Sequence, residues 1–436
     1  FSYNPDIHTL SLTKDINWNG SDNIILNSGE TFDGKGHTID LDNTSTSGLF
    51  SSKFDISDNI LENYSNIKNI RIINGKLSNY SENITYGTTT VTIYFGPSYI
   101  LKPNCSYVNI YNCIINDTND TLNIRDCGSI IGSNNNFINI YNCISNINIG
   151  DTQNINNNGI GGIGGSNNTN ICIYSCYTTG NIYSNDSGGI IGSNFGNNNS
   201  FGIIYNCYTT GNIGGNDSGG ITGNNSGSGN INDRNNILSG FVLIQNCYST
   251  GIINETNSGG ITGNNTANTG FGKCIIQNCY SQGTTTNNET IELSNSNNSS
   301  NGNYSISLLN NKSIYEILDS SLNKISSYTD TDKSITYTNN GNAFTTIDNN
   351  YPVLKNFLNT PWIDTEYSTY TSSPNFIKSS TELNNTTYDI NNIPYGILLD
   401  DATKYLDVSI NNLNLGSTWT IECIFRPLLN NSDSTI

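Results

Sequence analysis

The chain has 436 residues; 34% are hydrophobic and 12% charged, and 35 acidic against 17 basic side chains give a net charge of −18. Charge this thin and this negative excludes a nucleic-acid partner, which needs clustered Lys and Arg, and no apolar run approaches the roughly 18–20 residues of a membrane-spanning helix. About one residue in five is Asn and 42 are Gly, a neutral polar composition unlike that of charge-dense disordered tails.

The sequence contains no Met and begins at Phe1. The expectation is that Phe1 is not the encoded start and that a preceding segment, of which a signal peptide is one candidate, was either removed or lies outside the given sequence. Secretion suits the N-x-S/T sequons, of which Asn63, Asn83, Asn185, Asn216 and Asn254 are candidate glycosylation acceptors. In a chain this rich in Asn, Ser and Thr, such triplets also arise by chance.

In chain order, residues 1–100 carry two Ile-rich stretches, IILNSGETFDGKGHTIDL (Ile24–Leu41) and NIKNIRIINGKL (Asn66–Leu77). Six copies of a second core follow between about 105 and 290: NIYNC ending at Cys113 and again at Cys143, then CIYSCYTTGNI around Cys176, IIYNCYTTGNI around Cys207, LIQNCYSTGII around Cys247 and IIQNCYSQG around Cys279. Each has Ile three residues before the Cys, at Ile110, Ile140, Ile173, Ile204, Ile244 and Ile276. A glycine motif alternates with it: CGSIIGSN from Cys127, GGIGGSNN from Gly161, SGGIIGSN from Ser187, and SGGITGNN from Ser218 and from Ser258. The step is about 30 residues, stretched by the polar insertion SGSGNINDRNN near residue 230; such a period marks a solenoid, a propeller or an array.

The pieces between the Gly and Asn punctuation are short and rich in Ile and Tyr, with no apolar stripe at helical spacing, so they predict strands and turns. A propeller needs four strands per repeat and its own signature dipeptides, which are absent. A parallel β-helix fits: each coil adds one strand to every row, and equivalent residues stack at about 4.8 Å. Ile then stacks on Ile inside. The Asn before each Cys, at Asn112, Asn142, Asn206, Asn246 and Asn278 with Ser175 as the exception, is expected to form a side-chain amide ladder at a turn.

The GGIIG and CYTTGNI pattern resembles the GLUG repeat of bacterial and viral surface proteins over about residues 127 to 283, and the two N-terminal stretches resemble the opening coils of right-handed parallel β-helix proteins. AFTTIDNNYPVLKNF (Ala343–Phe357) is similar to the piece that closes such arrays. The implied fold class is all-β: a right-handed parallel β-helix over residues 1–300, a closing segment at 301–365, a Ser/Thr/Asn-rich linker at 366–390, and at 391–436 the start of a further module. That last part, with LLDDATKYLDV and TWTIECIFRPL, resembles the first third of a concanavalin A-like (laminin-G-like) jelly roll; a sandwich of that kind needs about 100 residues, so a longer parent polypeptide is expected.

There are 11 Cys, six of them in the repeat column at Cys113, Cys143, Cys176, Cys207, Cys247 and Cys279, with Cys105, Cys127, Cys172, Cys274 and Cys423 outside it. No C-x-x-C spacing occurs and the only His are His8 and His37, so no metal or other cofactor is expected. Stacked Cys fall near disulfide Cα spacing, yet an in-register stack points their Cβ atoms in parallel; a buried thiol column is the expectation, and a disulfide from Cys172 or Cys274 to a neighbouring coil the alternative.

Parallel β-helices often cleave acidic polysaccharides, which requires clustered carboxylates with a basic residue or calcium. The one carboxylate cluster beside an Arg is Asp117, Asp120 and Asp126 next to Arg125, in a stretch that reads as a solvated loop. His37 sits in an opening-coil motif shared by β-helices of unrelated activity, and Asp400 and Asp401 fall at the jelly-roll entry strand, where a polar turn is expected. The positions that recur on the surface of the repeats are Tyr, Asn, Thr and Ser, poor acids and bases, so catalysis is not expected. The remaining reading is a structural or adhesive protein of a virion or cell surface, with a stiff β-helical scaffold and other surface proteins or host glycans as partners. The implied source is a large DNA virus; a bacterial adhesin and a β-helical lyase or hydrolase are the alternatives. Tyr177, Tyr208, Tyr248 and Tyr280 are candidate glycan contacts if their ring faces are exposed, and core if they point inward.

Overall fold

The computed structural model describes residues 1–20, 23–53, 64–86, 89–116, 124–150, 159–198, 200–229, 240–253, 257–267, 272–277 and 279–281, and short strands at 305–309, 312–313, 329–330, 335–336, 344–346 and 352–354. These residues belong to one compact unit, Phe1–Asp58 with Asn63–Pro361. Among them the secondary structure is strand apart from one 3-10 turn, Pro5–Ile7. Asn278, the sequons Asn63 and Asn254, the carboxylates Asp117 and Asp120, and residues 366–436, where a linker and the start of a further module are expected, lie outside the described residues.

The architecture follows from the repeat. Strands one repeat apart pair in parallel and in register, forming a large, mostly parallel sheet. A first row runs through Thr31–Asp33, the front half of Ser65–Ile73, the front half of Ser106–Ile115, Asn136–Tyr141, Thr169–Tyr174, Phe201–Tyr205, Phe241–Gln245, Lys273–Gln277 and Ser305–Leu309. A second row begins just past the Asn position, through Ile144–Ser145, Tyr177–Thr178, Tyr208–Thr209, Tyr248–Ser249 and Tyr280–Ser281 to Lys312–Ser313. A third, Ile149–Gly150, Ile182–Tyr183 and Ile213–Gly214, follows the next turn. The glycine motif supplies a fourth line of contacts, Gly128 to Gly161 to Gly188 to Gly219 to Gly259, with Ile131, Gly164, Ile191, Thr222 and Thr262 bridged in parallel beside it.

Register is set by what each position buries. Ile110, Ile140, Ile173, Ile204, Ile244 and Ile276 stack directly and are all completely buried, as are the six column cysteines. The glycine wall lies against the second row. A Cβ on Gly162 would strike the Gly189 carbonyl and the Thr178 side chain, and one on Gly189 would strike the Gly220 carbonyl and Thr209. The Thr178 hydroxyl donates to the Gly189 carbonyl at 2.9 Å. Walls this close leave little room between them, so the position is Gly at Gly162, Gly189, Gly220 and Gly260 and the small, fully buried Ser129 in the first copy.

At the N-terminal end, Ser2–Asn4 pairs antiparallel with Thr9–Ser11, covering an otherwise open strand edge. Tyr80–Tyr86 and Thr89–Phe95 pair antiparallel as a hairpin. Of the closing segment, Phe344–Thr346 pairs antiparallel with Pro352–Leu354.

Candidate functional site

Among the described residues, side-chain chemistry recurs regularly at the corner between the first and second rows. Asn69, Asn112, Asn142, Ser175, Asn206 and Asn246 all have left-handed backbones, with φ of 59°, 52°, 52°, 52°, 54° and 54°. Asn tolerates this conformation better than other side-chain-bearing residues, so it is selected first for the bend. Its amide then stacks: Asn112 Nδ2 donates to Asn69 Oδ1 at 3.0 Å, Asn142 Nδ2 to Asn112 Oδ1 at 3.3 Å, and Asn246 Nδ2 to Asn206 Oδ1 at 3.1 Å. Ser175 stands between these two runs. Asn69 heads the ladder although its layer carries Ile70 where the others have Cys, a residue the repeat motif did not flag; the spacing in NIKNI was the available signal.

The thiols lie immediately inside the corner. The Cys143 N–H donates to Cys176 Sγ at 3.3 Å, Cys176 N–H to Cys207 Sγ at 3.4 Å, Cys207 N–H to Cys247 Sγ at 3.5 Å and Cys247 N–H to Cys279 Sγ at 3.4 Å. The column thus replaces a ladder of backbone acceptors, and Cys113, Cys143, Cys176, Cys207 and Cys247 carry free thiols. Burial pushes the thiols of Cys113, Cys176 and Cys247 up. The alternative of a disulfide from Cys172 or Cys274 meets no cysteine in register: Cys172 pairs with Asn139 and Ile203, and Cys274 with Val242 and Ile306.

The tyrosines stack on one another. Tyr177 and Tyr208 stack at 4.7 Å and 7° between ring planes, and Tyr208 and Tyr248 at 4.7 Å and 1°. Both faces of Tyr208 are therefore covered by neighbouring rings, and Tyr248 is buried, so neither of these two offers a ring face to a sugar. The one-layer spacing is close to aromatic stacking distance, and the rings satisfy one another. Burial pushes the phenols of Tyr177, Tyr208 and Tyr248 up. Tyr280 is in backbone register with Tyr248. A second column flanks the other side of the corner: Tyr111 and Tyr141 at 5.1 Å, and Tyr141 and Tyr174 at 5.3 Å. It escaped the sequence reading because this Tyr becomes Gln at Gln245 and Gln277.

Other candidate residues are dispersed. Asp126 is half-buried beside the exposed Arg125, and burial raises its carboxyl, as it does that of Asp186 one repeat pair away. His37 Nδ1 lies 3.2 Å from Asp15 Oδ1, and the Thr38 N–H donates to the same oxygen at 2.8 Å, holding Asp15 low. The buried Asp33 bonds Lys35 Nζ at 3.0 Å, Lys68 Nζ at 3.5 Å and Asn69 Nδ2 at 2.9 Å; these partners and the Lys35 N–H outweigh its burial and hold it below the usual carboxylate range. Among the described residues no three His, Cys, Asp or Glu side chains converge as a metal site. Of the sequons, Asn83 is exposed, its Oδ1 accepting from Thr92 Oγ1 at 2.7 Å, whereas Asn185 and Asn216 are half-buried, with Asn185 Oδ1 accepting from the Asn216 N–H at 2.8 Å.

Comparison with protein-family models, with curated proteins and with solved structures found no match to this chain.

Proposed function

We propose that the chain is a non-enzymatic structural and adhesive surface protein. In this reading it is a right-handed parallel β-helix of the GLUG-repeat kind, followed by a linker and the start of a concanavalin A-like module, and carried on the surface of a large DNA virus. The observation that carries the proposal is the in-register stacking of near-identical segments: Ile on Ile inside, with amide, thiol and aromatic columns continuing from layer to layer. Such periodicity supplies stiffness and repetition, which a scaffold needs, and the outward positions supply neutral hydrogen-bonding groups rather than acid–base pairs. Two measurements test it. Antibodies to the chain are expected to decorate the outside of intact particles, and the purified chain is expected to leave pectin and alginate intact with calcium present. Turnover that is lost in Asp117→Asn or Asp120→Asn would overturn the proposal.

A further inference from the structure

Beside the stacked tyrosines, the second row and the turn after it present a regular outward array. Thr179, Thr210 and Thr250 occupy one line, fixed by backbone bonds of 3.0 Å from Thr179 N to Ser145 O, Thr210 N to Thr178 O and Thr250 N to Thr209 O. Asn148, Asn181 and Asn212 occupy a second line one turn further on, and there each amide is held differently from the corner ladder. The Asn181 N–H donates to Asn148 Oδ1 at 2.8 Å, the Asn212 N–H to Asn181 Oδ1 at 2.8 Å, and the Ile252 N–H to Asn212 Oδ1 at 2.9 Å. Each oxygen is pinned by the next layer, so the amide cannot rotate, and its Nδ2 donor remains unused by the protein among the described residues. The Thr210 and Thr250 hydroxyls likewise have no protein partner among the described residues. Thr179, Thr210, Asn148 and Asn212 are exposed, and Thr250 and Asn181 half-exposed.

We propose that this array is a binding track for a linear neutral polysaccharide lying along the stacking direction. The inference rests on the surface-attachment reading above and moves the contact from the tyrosine faces to the threonine and asparagine lines. Three features select the ligand class. Residues 176–184, 207–215 and 247–253 contain no Asp, Glu, Lys or Arg, so neither an acidic glycan nor a nucleic acid finds a counter-charge. The backbone of the second row is already bonded between layers, so an added peptide strand finds no row of free backbone groups on this face. What is offered is two lines of polar groups one layer apart, at about 4.8 Å: the Nδ2 donors of Asn148, Asn181 and Asn212, ending where Ile252 takes the next position, and the hydroxyls of Thr210 and Thr250, that of Thr179 being donated to Asn146 Oδ1 at 2.9 Å. This suits a polymer whose hydroxyl and ring oxygens also recur along one line. Donors held rigid before binding lose little freedom on binding, and weak contacts repeated along a chain add as avidity.

The test is affinity electrophoresis of the full chain in gels containing hydroxyethyl cellulose, glucomannan or laminarin, with alginate as the acidic counterpart. Retardation by at least one neutral polysaccharide, insensitive to salt, is expected. Asn181→Asp with Asn212→Asp keeps both pinned oxygens and removes both donors, and Thr210→Val with Thr250→Val removes the hydroxyls at constant shape. Each pair is expected to weaken retardation by about tenfold or more with an unchanged circular dichroism spectrum. No retardation by any neutral polymer, or retardation unchanged in both double variants, would overturn the track. The surface role would survive either result, because it fails separately, on absence of the chain from the particle exterior.

Discussion

Among the described residues of the corner, Ser175 alone is not Asn, and Ser175→Asn is expected to stabilise the protein. Its φ of 52° matches that of Asn112 and Asn142, a left-handed conformation that costs an ordinary residue about 1–2 kcal/mol and Asn less. An amide at this position also joins the Asn69–Asn112–Asn142 run to the Asn206–Asn246 run, adding up to two hydrogen bonds at about 0.5–1.5 kcal/mol net each. Room exists, because Asn246 fits the equivalent buried position at 4% exposure against 5% for Ser175. Allowing for bonds the hydroxyl already makes, the gain is about 1–2 kcal/mol. In a stack where each layer touches only its neighbours the effect is local, so native-state hydrogen exchange is the assay. The Asn142, Cys143 and Ser175 amides are expected to slow by about 5- to 30-fold, while amides near Phe32 stay unchanged. Equal slowing in Ser175→Gly would show that the backbone alone is responsible and the amide ladder contributes nothing. No slowing in either variant would refute the corner argument altogether.

Gly189→Ala is expected to cost more than about 4 kcal/mol, since the added Cβ meets the Gly220 carbonyl and Thr209, whereas at Gly214 the nearest atom is Tyr183 Cδ1 at 3.5 Å and Ala should be tolerated; guanidinium melts of the two variants check the contrast. Cys176→Ala removes the acceptor of the Cys143 N–H and is expected to cost about 1–3 kcal/mol, with Cys176→Ser recovering part of it. The buried column thiols should resist alkylation in the native protein and react fully once it is unfolded, as mass spectrometry would show. Acid should act with opposite signs at the two ends. The lowered Asp33 stabilises its layers above the unfolded carboxyl value of about 3.9 and loses that contribution as pH falls through its lower folded value; the raised Asp186 destabilises its layers at neutral pH, and they tighten as pH falls through its raised value towards 3.9. Asp186→Asn should therefore stabilise at pH 7 and abolish the tightening, and Asp33→Asn should destabilise at pH 7, both read from stability against pH.

The repeat was legible because parallel stacking forces like residues to recur: Ile204, Asn206 and Cys207 are visible as a motif and lie directly above Ile173, Ser175 and Cys176. The orientation of the tyrosines was not, since the left-handed residue between Tyr205 and Tyr208 breaks the two-residue alternation from which facing is inferred. Nor was the pinned amide line at Asn148, Asn181 and Asn212 distinguishable from any other Asn in so amide-rich a chain, because what sets it apart is which atom of the side chain is bonded. The thinness of the interior at Gly189 was encoded in the Gly-Gly pair, but only the opposing Thr209 reveals what the glycines avoid.

Because Cys176 follows Cys143 and precedes Cys207 with the same partners on either side, a whole repeat is a removable module. Excising the 31 residues that separate Tyr177 from Tyr208 would bring matching neighbours together and leave every other junction intact. Gene slippage at such a locus would shorten or lengthen the molecule in whole steps while preserving its fold, so span is a quantity selection can adjust without inventing a new residue.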